Sequence, residues 1–536
     1  MAAPACLHPR SSFVDRPAAV VILAAGAGTR MKSKTPKVLN AISGRSLLGH
    51  AITAGSRVGA GRICVVVRHE RDSVAADALS YDPDLLIADQ DEVPGTGRAV
   101  HCALEALAGH GDPVDGTVVV TAADTPLLDG GTLRELVRTH EESGNAMTIL
   151  TALMEEPAGY GRVVRSEGRV TKIVEDRDAS TEERAIREIN TGVYAFDGAL
   201  LRETLSRVGQ TNSQGEVYLT DVVGIAHISG RRVAAVVADD PWEVEGANDK
   251  VQLAHLAKEM NRRIVEDWMR EGVTVIDPDT TWIDVDVELA PDVTILPNTQ
   301  LQGACRVEED AVIGPDTTLT DCEVGAGAQV VRTHGLLAVI GAGAQVGPFS
   351  YLRPGTELGA NGKIGTFVET KNATMGEGTK IPHLSYVGDA TIGEHTNIGA
   401  ASVFVNYDGV TKHRTIVGSH CRMGSDNMYV APVTIGDGAY SGAGTTLRRD
   451  VPPGALAINP ASQRNVEGWV EAKRPGTAAA EAAARAREVL EAREAIPGTD
   501  YGAGDGRGAP NETSGTPADA PGASSAVGNE EKGAIE

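Results

Sequence analysis

The sequence predicts two differently built domains, an α/β domain over residues 17–245 and a parallel β-helix over residues 273–458. Three observations carry this prediction. The chain has 536 residues, more than one compact core usually accommodates. Short apolar runs punctuate the first half, and apolar residues recur at a spacing of six in the second half. Only 4% of the residues are aromatic and 62 are glycine, which is typical of tightly turning, repetitive architecture.

The α/β prediction rests on three short apolar runs, at residues 18–23, 65–67 and 118–120. Each has the composition of a buried parallel strand, and helical patterns separate them. Alternating strands and helices predict a doubly wound sheet, whose ligands bind at the carboxyl ends of the strands.

The second domain is predicted from a six-residue period, which fits neither an α-helix nor an ordinary strand. In a parallel β-helix each hexad forms one side of a triangular coil, and its aliphatic residue points inward. The residues that carry the period are Ile340, Val346, Leu352, Leu358, Ile364, Ile392, Ile398, Phe404, Val417, Met423, Tyr429 and Ile435. The period is interrupted at residues 365–391 and 405–416, where we expect loops that leave the coil.

The remaining segments are predicted from composition. Residues 1–16 form an N-terminal extension that lacks the apolar run of a secretory signal. Residues 459–496 form a short segment and an Ala/Glu/Arg-rich helix, and residues 497–536 form a disordered tail. Residues 246–272 form an amphipathic linker helix. Its apolar face comprises Leu253, Leu256, Met260, Ile264 and Trp268.

Composition also limits the classes of partner. A net charge of −24 argues against non-specific nucleic-acid binding, which needs a basic surface. Because no run approaches the roughly 20 apolar residues that span a bilayer, we expect no membrane association. The six cysteines show no paired spacing, which favours free thiols and a cytoplasmic location. In so acidic a chain, the cations that bind an anionic substrate must be placed locally.

The first candidate site follows the predicted strand at residues 18–23. The chain reads LAAGAGTRM over residues 23–31, with Lys37 shortly beyond it. Glycines let backbone N–H groups approach a polyphosphate, and the side chains of Arg30 and Lys37 add positive charge. A glycine turn after a strand is by itself more often only a turn. The whole string LxxGxGTRM…PK is more specific.

This string resembles the sugar-nucleotide pyrophosphorylases, and motifs at Gln90, Asp124 and residues 160–162 and 245–248 follow in the order of that family. The resemblance implies a Rossmann-like nucleotidyltransferase domain that binds UTP and Mg²⁺. The implied nucleotide and sugar contacts are Leu23, Ala24, Gly26, Gln90, Gly95, Thr96, Gly161, Glu175, Asn190 and Asn248. It also implies Asp124 and Asn248 as the Mg²⁺ ligands. Ala123 stands where the family usually has glycine.

Taken singly, Asp124 would be a helix cap or a turn residue, and Glu175 or Asn190 would be solvated. Their order and spacing as a set favour the functional interpretation. The chemistry agrees, because a sugar 1-phosphate is already an anionic nucleophile. Its reaction needs in-line positioning and charge neutralisation rather than a general base. Arg30, Lys37 and Mg²⁺ are the predicted sources of that positive charge.

The β-helix carries a second ordered set of polar motifs. They are RPG at 353–355, VETK at 368–371, HLSYVGD at 383–389, NIGA at 397–400, NYDG at 406–409, Lys412, GSD at 424–426 and AG at 443–444. This set closely resembles the acetyltransferase half of a bacterial bifunctional family, the glucosamine-1-phosphate acetyltransferase/N-acetylglucosamine-1-phosphate uridylyltransferases. The combined resemblance covers residues 17–475.

This second resemblance implies a left-handed β-helix of hexapeptide repeats, assembled as a homotrimer with acetyl-transfer sites between subunits. It makes His383 the general base, and histidine titrates in a suitable range for that role. The implied glucosamine 1-phosphate contacts are Arg353, Lys371, Tyr386 and Asn397. The implied acetyl-CoA contacts are Ala400, Asn406, Tyr407, Ser425 and Ala443. Pro460, with Arg464 nearby, stands where some members place an arginine for the acetyl-CoA phosphates.

The combined prediction is an enzyme of two sequential reactions. Acetyl-CoA acetylates glucosamine 1-phosphate, and UTP then converts the product to UDP-N-acetylglucosamine and pyrophosphate for cell-wall precursors. One alternative is a single-activity pyrophosphorylase with a purely structural β-helix, which predicts no His383 motif set. Another is a silent scaffold subunit, which predicts losses among the residues of the first site. A lone histidine would more often be a surface residue, so the joint pattern carries the prediction.

Overall fold

The computed structural model describes residues 16–111, 113–459 and 463–494. Its contacts divide the chain into two units, Met1–Asn459 and Pro460–Glu536. The predicted N-terminal extension, apart from Arg16, lies outside the described residues, as do Pro460 and the predicted tail at residues 497–536.

The first part of the larger unit is an α/β domain around a nine-stranded sheet. Seven strands form its main path, in the order Val233–Val237, Met147–Leu153, Glu188–Asp197, Thr117–Ala122, Ala19–Leu23, Ile63–Val67 and Leu86–Asp89. The remaining strands are Gly161–Ser166 and Arg169–Val174 of the sheet and the separate pair Ala41–Ile42 and Arg45–Ser46. The α-helices are Leu47–Ser56, Arg71–Tyr81, Thr96–Gly109, Gly130–Glu142, Thr181–Arg184, Gly198–Leu205 and Asp221–Ile228. The 3-10 helices are Thr29–Met31, Lys37–Leu39 and Pro241–Val244.

The three predicted apolar strands are confirmed, and they lie side by side. Ala19–Leu23 pairs in parallel with Ile63–Val67 on one side and with Thr117–Ala122 on the other. Almost all of their side chains are buried, because helices cover both faces of the sheet. Their carboxyl ends therefore open onto one edge of the sheet.

One strand departs from the alternating parallel pattern. Glu188–Asp197 runs antiparallel to both of its neighbours in the main path. Its register shifts between Asn190 and Tyr194, where Gly192 has a φ of 82°. That backbone conformation suits glycine. The resulting bulge changes the direction of the side chains that precede Gly192 in this strand.

The linker helix runs over Lys250–Arg270, and the Asp249 carboxylate caps it by accepting hydrogen bonds from two backbone N–H groups. The predicted apolar face is buried or half-buried. Leu256 and Met260 pack with the α/β domain, whereas Val265 belongs to the core of the β-helix. The Asn261 side chain joins the same helix to the first coil, donating to the Thr281 carbonyl at 2.7 Å.

The second part of the larger unit is a parallel β-helix. Its strands are Thr274–Val275, Trp282–Ile283, Glu288–Leu289, Thr294–Ile295, Gln300–Gln302, Arg306–Val307, Val312–Ile313, Thr318–Thr320, Glu323–Val324, Gln329–Val330, Thr333–Leu336, Ala338–Ile340, Gln345–Val346, Ser350–Leu352, Thr356–Leu358, Lys363–Thr366, Glu369–Met375, Lys380–His383, Tyr386–Ile392, Val403–Val405, Thr415–Val417, Met428–Val430, Val433–Ile435, Tyr440–Ser441, Thr446–Leu447 and Leu456–Ala457. Each strand pairs in parallel with a strand of a neighbouring coil, and every predicted inward residue is buried. The predicted fold class, a Rossmann-like domain followed by a left-handed parallel β-helix, is confirmed.

The predicted loop at residues 365–391 is wrong, because this segment stays in the coil. It forms three strands that pair in register with the coils before and after them. Thr370, Met375 and Ile381 occupy successive inward positions. The spacing from Thr370 to Met375 is one residue shorter than the spacing from Met375 to Ile381, and the inward residue at 370 is a threonine instead of an aliphatic residue. The Thr370 hydroxyl is hydrogen-bonded to the Thr356 hydroxyl at 2.9 Å, so this polar group can be buried without an unsatisfied hydrogen bond.

The predicted loop at residues 405–416 is confirmed in its central part. Between the strands Val403–Val405 and Thr415–Val417 the chain leaves the coil, and Tyr407 forms an antiparallel bridge with Lys412. The carboxylate of Asp408 holds the turn by accepting from the backbone N–H groups of Val410 and Thr411.

The smaller unit contains two α-helices, Trp469–Lys473 and Ala478–Glu494, of which the second lies in the predicted Ala/Glu/Arg-rich segment. Arg487 and Glu471 form an ion pair between them. Within the described parts of the chain, none of the helices is both long and apolar enough to cross a membrane.

Candidate active sites

The glycine loop leaves the central strand Ala19–Leu23 at its carboxyl end. Gly28 has a φ of 58°, and a Cβ there would collide with the Lys37 side chain. Glycine is therefore needed at this position both for its backbone conformation and for the close approach of Lys37. The glycine loop and the turn that carries Lys37 therefore pack directly against each other.

The two predicted metal ligands converge on the same cation. The Lys37 ammonium group contacts the Asp124 carboxylate and donates to the Asn248 side-chain oxygen at 3.0 Å. The Arg30 guanidinium donates to that same amide oxygen at 2.8 Å. A carboxylate and an amide oxygen that already share one positive charge form a hard donor set, which fits a divalent cation.

Backbone contacts bring these side chains to one point. The Ala123 N–H donates to the Leu23 carbonyl at 3.0 Å, and the Ala247 N–H donates to the Asp124 carbonyl at 3.0 Å. Ala123 is 1% exposed and packs in the core, and its φ is not positive. The alanine that replaces the family's usual glycine therefore fits without strain.

A cavity of about 440 Å³ lies beside the glycine loop. The predicted residues that line it are Leu23, Gly26, Lys37, Gln90, Gly95, Thr96 and Asp124. Ala24 is not among the lining residues, because its side chain is buried in the core beneath the loop. Arg68 and His69 also line the cavity, although neither belongs to a motif visible in the sequence.

The far wall of this cavity is held by Gln90 and Gly95. The Gln90 side chain donates to the carbonyls of Val93 and Gly95, at 2.9 and 3.2 Å. Gly95 has a φ of 118°, and a Cβ there would collide with the Val217 backbone. The Thr96 hydroxyl accepts from the Leu219 N–H at 3.2 Å. The loop is thus fixed on both sides.

A second cavity, of about 280 Å³, adjoins the first and shares Asp124 with it. Arg30 and Asn248 line it from one side, and Tyr160 and Gln252 are additional lining residues. The two cavities therefore meet at the Asp124 carboxylate.

The predicted sugar contacts lie together. Gly161 and Asn190 are direct partners in neighbouring antiparallel strands, and a Cβ on Gly161 would lie 3.6 Å from the Glu175 carboxylate. Thr220 donates to this carboxylate at 3.2 Å. Burial raises the pKa of Glu175 above its usual range, and nearby acidic residues add to the shift.

In the β-helix, one outer face gathers the predicted phosphate contacts. Arg353 and Lys371 lie on neighbouring coils, and Arg353 pairs with Glu369 at 2.8 Å. Lys412 reaches Lys371 from the protruding loop, and this second ammonium group lowers the pKa of Lys371. These cations form a concentrated positive site in an acidic chain.

Tyr386 and Asn406 belong to the same face. The Asn406 amide lies 3.4 Å from the Tyr386 hydroxyl and donates to the Asp389 carboxylate at 2.5 Å. Tyr407 lies on the protruding loop, and its hydroxyl donates to the Gly409 carbonyl at 2.6 Å. Both predicted acetyl-CoA contacts of this motif therefore border the cation group.

His383 is exposed at the end of the strand Lys380–His383, where the coil turns a corner. The predicted acetyl-CoA contacts Ala400, Ser425 and Ala443 stand above it, one on each following coil. The backbone confirms this column, because the N–H groups that follow these residues donate to the carbonyls of His383, Ala400 and Ser425, at 3.2, 2.7 and 2.9 Å.

Asn397 lies apart from the other predicted sugar-phosphate contacts. It stacks between Lys380 and Arg422 on the face that precedes the His383 corner. Arg353 and Tyr386 lie on the face that follows that corner. One chain therefore does not bring all four predicted contacts together.

Several polar residues at these sites carried no signal in the sequence. Asn40 bonds to the backbone of Lys37 three positions away, whereas Thr220 reaches Glu175, and Lys250 reaches Asn40, from distant segments. Among the described residues there is no cluster of three or more His, Cys, Asp or Glu side chains suited to a metal. The pair of Asp124 and Asn248 therefore remains the candidate metal site.

The fold and the first site define a nucleotidyltransferase joined to a hexapeptide-repeat β-helix. Residues 20–189 match the family of MobA-like NTP transferase domains. Proteins named Bifunctional protein GlmU are similar over most of the chain. That of Kineococcus radiotolerans is 64% identical over 473 residues, covering 88% of this chain and 96% of the relative. That of Paenarthrobacter aurescens is 60% identical over 474 residues, with 88% and 95% covered.

The chain belongs to the GlmU family of bifunctional proteins. The Streptomyces avermitilis member is 58% identical over 470 residues, covering 87% of this chain and 97% of the relative. The predicted family and the predicted enzyme class, a bifunctional nucleotidyltransferase and acetyltransferase, are confirmed. Membership of this family implies that the reactions require a divalent metal ion and use acetyl-CoA.

Proposed function

We propose that this enzyme acetylates glucosamine 1-phosphate at the β-helix and then transfers UMP from UTP to the product in the α/β domain. The observation that carries the proposal is the convergence of Arg30, Lys37, Asp124 and Asn248 at the junction of two cavities. A nucleotide in the first cavity and a sugar phosphate in the second would meet there.

In the uridylyl step, an oxygen of N-acetylglucosamine 1-phosphate attacks the α-phosphorus of UTP, and pyrophosphate leaves. Lys37 and Arg30 neutralise the phosphate oxygens as charge develops. Gln90, Gly95 and Thr96 hold the uracil end, and Gly161, Glu175 and Asn190 hold the amino sugar. No general base is required, because the nucleophile is already an anion.

We assign Mg²⁺ to the metal site. Bound by the carboxylate of Asp124 and the amide oxygen of Asn248, it would neutralise the charge of the phosphate oxygens. Its donor set supports this assignment, because Mg²⁺ prefers oxygen ligands from one or two protein side chains and completes its shell with substrate phosphates.

In the acetyl-transfer step, His383 removes a proton from the amine of glucosamine 1-phosphate as the amine attacks the thioester carbonyl. The carbon–sulfur bond then breaks and coenzyme A leaves as the free thiol. Arg353, Lys371 and Tyr386 hold the sugar phosphate. The column of Ala400, Ser425 and Ala443 above His383 guides the acetyl-CoA arm, with Asn406 and Tyr407 beside it.

We propose that the acetyl-transfer site is completed by a second copy of the chain in a homotrimer. The position of Asn397 on another face than Arg353 supports this, because a neighbouring copy can present its own Asn397. We place the enzyme in the cytosol, where the buried free thiols of the described cysteines stay reduced.

The test supplies glucosamine 1-phosphate, acetyl-CoA, UTP and Mg²⁺ and follows free thiol and pyrophosphate separately. His383→Ala should abolish thiol release but leave pyrophosphate formation from added N-acetylglucosamine 1-phosphate. Asp124→Ala should do the reverse. Loss of both products in either folded variant would refute two independent sites. A single-activity pyrophosphorylase would release no thiol at all.

A further inference from the structure

Lys37 is held from its backbone as well as from its side chain. The Asn40 amide group donates to the carbonyls of Pro36 and Lys37, at 3.0 and 2.8 Å. Asn40 is only 7% exposed, and its own N–H and carbonyl also bond to neighbouring backbone. The short 3-10 helix Lys37–Leu39 is therefore closed at its end by the backbone N–H and the side chain of Asn40.

The remaining side-chain oxygen of Asn40 accepts a hydrogen bond from Lys250. The Lys250 ammonium group reaches it at 2.5 Å from the first position of the helix Lys250–Arg270. Two residues earlier, Asn248 accepts from the tip of Lys37. The start of this helix thus contacts Lys37 twice, directly at its tip and through Asn40 at its backbone.

The placement of Lys250 is unfavourable for the helix itself. A cation at a helix N-terminus lies next to the positive end of the macrodipole, where an acidic side chain is usually preferred. Within the described residues, no carboxylate forms an ion pair with Lys250 to offset that cost. Its hydrogen bond to Asn40 is the contact that accounts for its position.

We infer that Asn40 and Lys250 are positioning residues that fix Lys37 against Asn248 for uridylyl transfer. The inference rests on the proposed role of Lys37 at the phosphates. Misplacement of a charge-stabilising group lowers the rate of the chemical step more than it weakens substrate binding.

Lys250→Met keeps much of the aliphatic stem and removes the donor. We expect kcat for pyrophosphate formation to fall roughly tenfold, whereas KM for UTP changes about twofold or less. Thiol release by the same protein should be unchanged. Lys250→Arg, which keeps a donor, should recover most of kcat. Lys258→Met provides the matched control, because Lys258 is exposed on the same helix and should behave as wild type.

The decisive comparison uses Lys37→Met as a second background. If Lys250 acts through Lys37, adding Lys250→Met to Lys37→Met should cost nothing further. The inference would be overturned if the two substitutions lowered kcat by independent factors that multiply in the double variant. A wild-type kcat in Lys250→Met would also overturn it. An equal loss of thiol release and of thermal stability would also overturn it, by showing a merely structural role. If Lys37→Met itself leaves pyrophosphate formation intact, the proposed function fails instead.

Discussion

The ammonium group of Lys37 contacts the carboxylate of Asp124, although the two residues are 87 positions apart in the chain. Both side chains are largely shielded from solvent, at 13% and 23% exposure. Shielding strengthens the interaction of a cation with nearby anions. Because Arg30 adds a second cation through its hydrogen bond to Asn248, this is the point at which the acidic enzyme brings positive charge to a phosphate group.

Removing divalent metal should separate the two reactions. We expect a chelator such as EDTA to abolish pyrophosphate formation, because Asp124 and the phosphates would then rely on Arg30 and Lys37 alone for neutralisation. Thiol release at the β-helix should be unaffected, since none of its proposed steps uses a metal. Both products are measured in one reaction, and restored Mg²⁺ should restore pyrophosphate. A parallel loss of thiol release would contradict separate sites.

Glu175 should make the binding of N-acetylglucosamine 1-phosphate weaker at acid pH. Burial raises its pKa, so on acidification it loses its charge at a higher pH than an exposed glutamate does. The protonated form is a weaker acceptor, and KM for N-acetylglucosamine 1-phosphate should therefore rise as the pH falls through that raised pKa.

Glu175→Gln is the variant that tests whether Glu175 causes this pH dependence of KM. It should raise KM roughly tenfold at neutral pH by replacing a charged acceptor with a neutral one. The ratio of variant to wild-type KM should shrink towards acid pH, which cancels any titration of the substrate itself. A ratio that stays constant with pH would exclude Glu175 as the titrating group.

Two defective chains should complement each other at the acetyl-transfer site. If His383 of one copy works with Asn397 of another, about a quarter of all sites should be intact in trimers mixed equally from His383→Ala and Asn397→Ala chains. Thiol release should then exceed that of either variant alone. Mixing either variant with a chain carrying both substitutions provides the control. Absence of recovery in verified mixed trimers would place both residues in one copy's site.

Ala123→Gly should restore the family's usual residue at a cost in stability. Ala123 is buried and its backbone does not need glycine, so the variant loses a packed methyl group. We expect a loss of about 1 kcal/mol in the free energy of unfolding and unchanged pyrophosphate formation. Urea unfolding and steady-state kinetics measure the two. A large gain in kcat would show that the alanine distorts the turn after all.

The β-helix shows where sequence pattern suffices and where it does not. An exact six-residue period correctly identified twelve inward positions between Ile340 and Ile435, because each coil side repeats the same local geometry. Residues 365–391 escaped it, since one side there is five residues long and Thr370 takes an inward place. A polar residue in the core is acceptable only when a partner is present, and Thr356 comes from the preceding coil. That partnership is not visible in the linear spacing.

The candidate sites divide in the same way. The sequence by itself determined the two domain types, the glycine loop and the order of the polar motifs, because strand, turn and hexad signals are local. Only the tertiary structure decided that Lys37 bridges Asp124 and Asn248, that Asn40 and Lys250 brace it, and that Asn397 faces away from Arg353. These relationships depend on the register of distant strands and on where the linker helix begins, and contacts across such separations leave no periodic trace in a single chain.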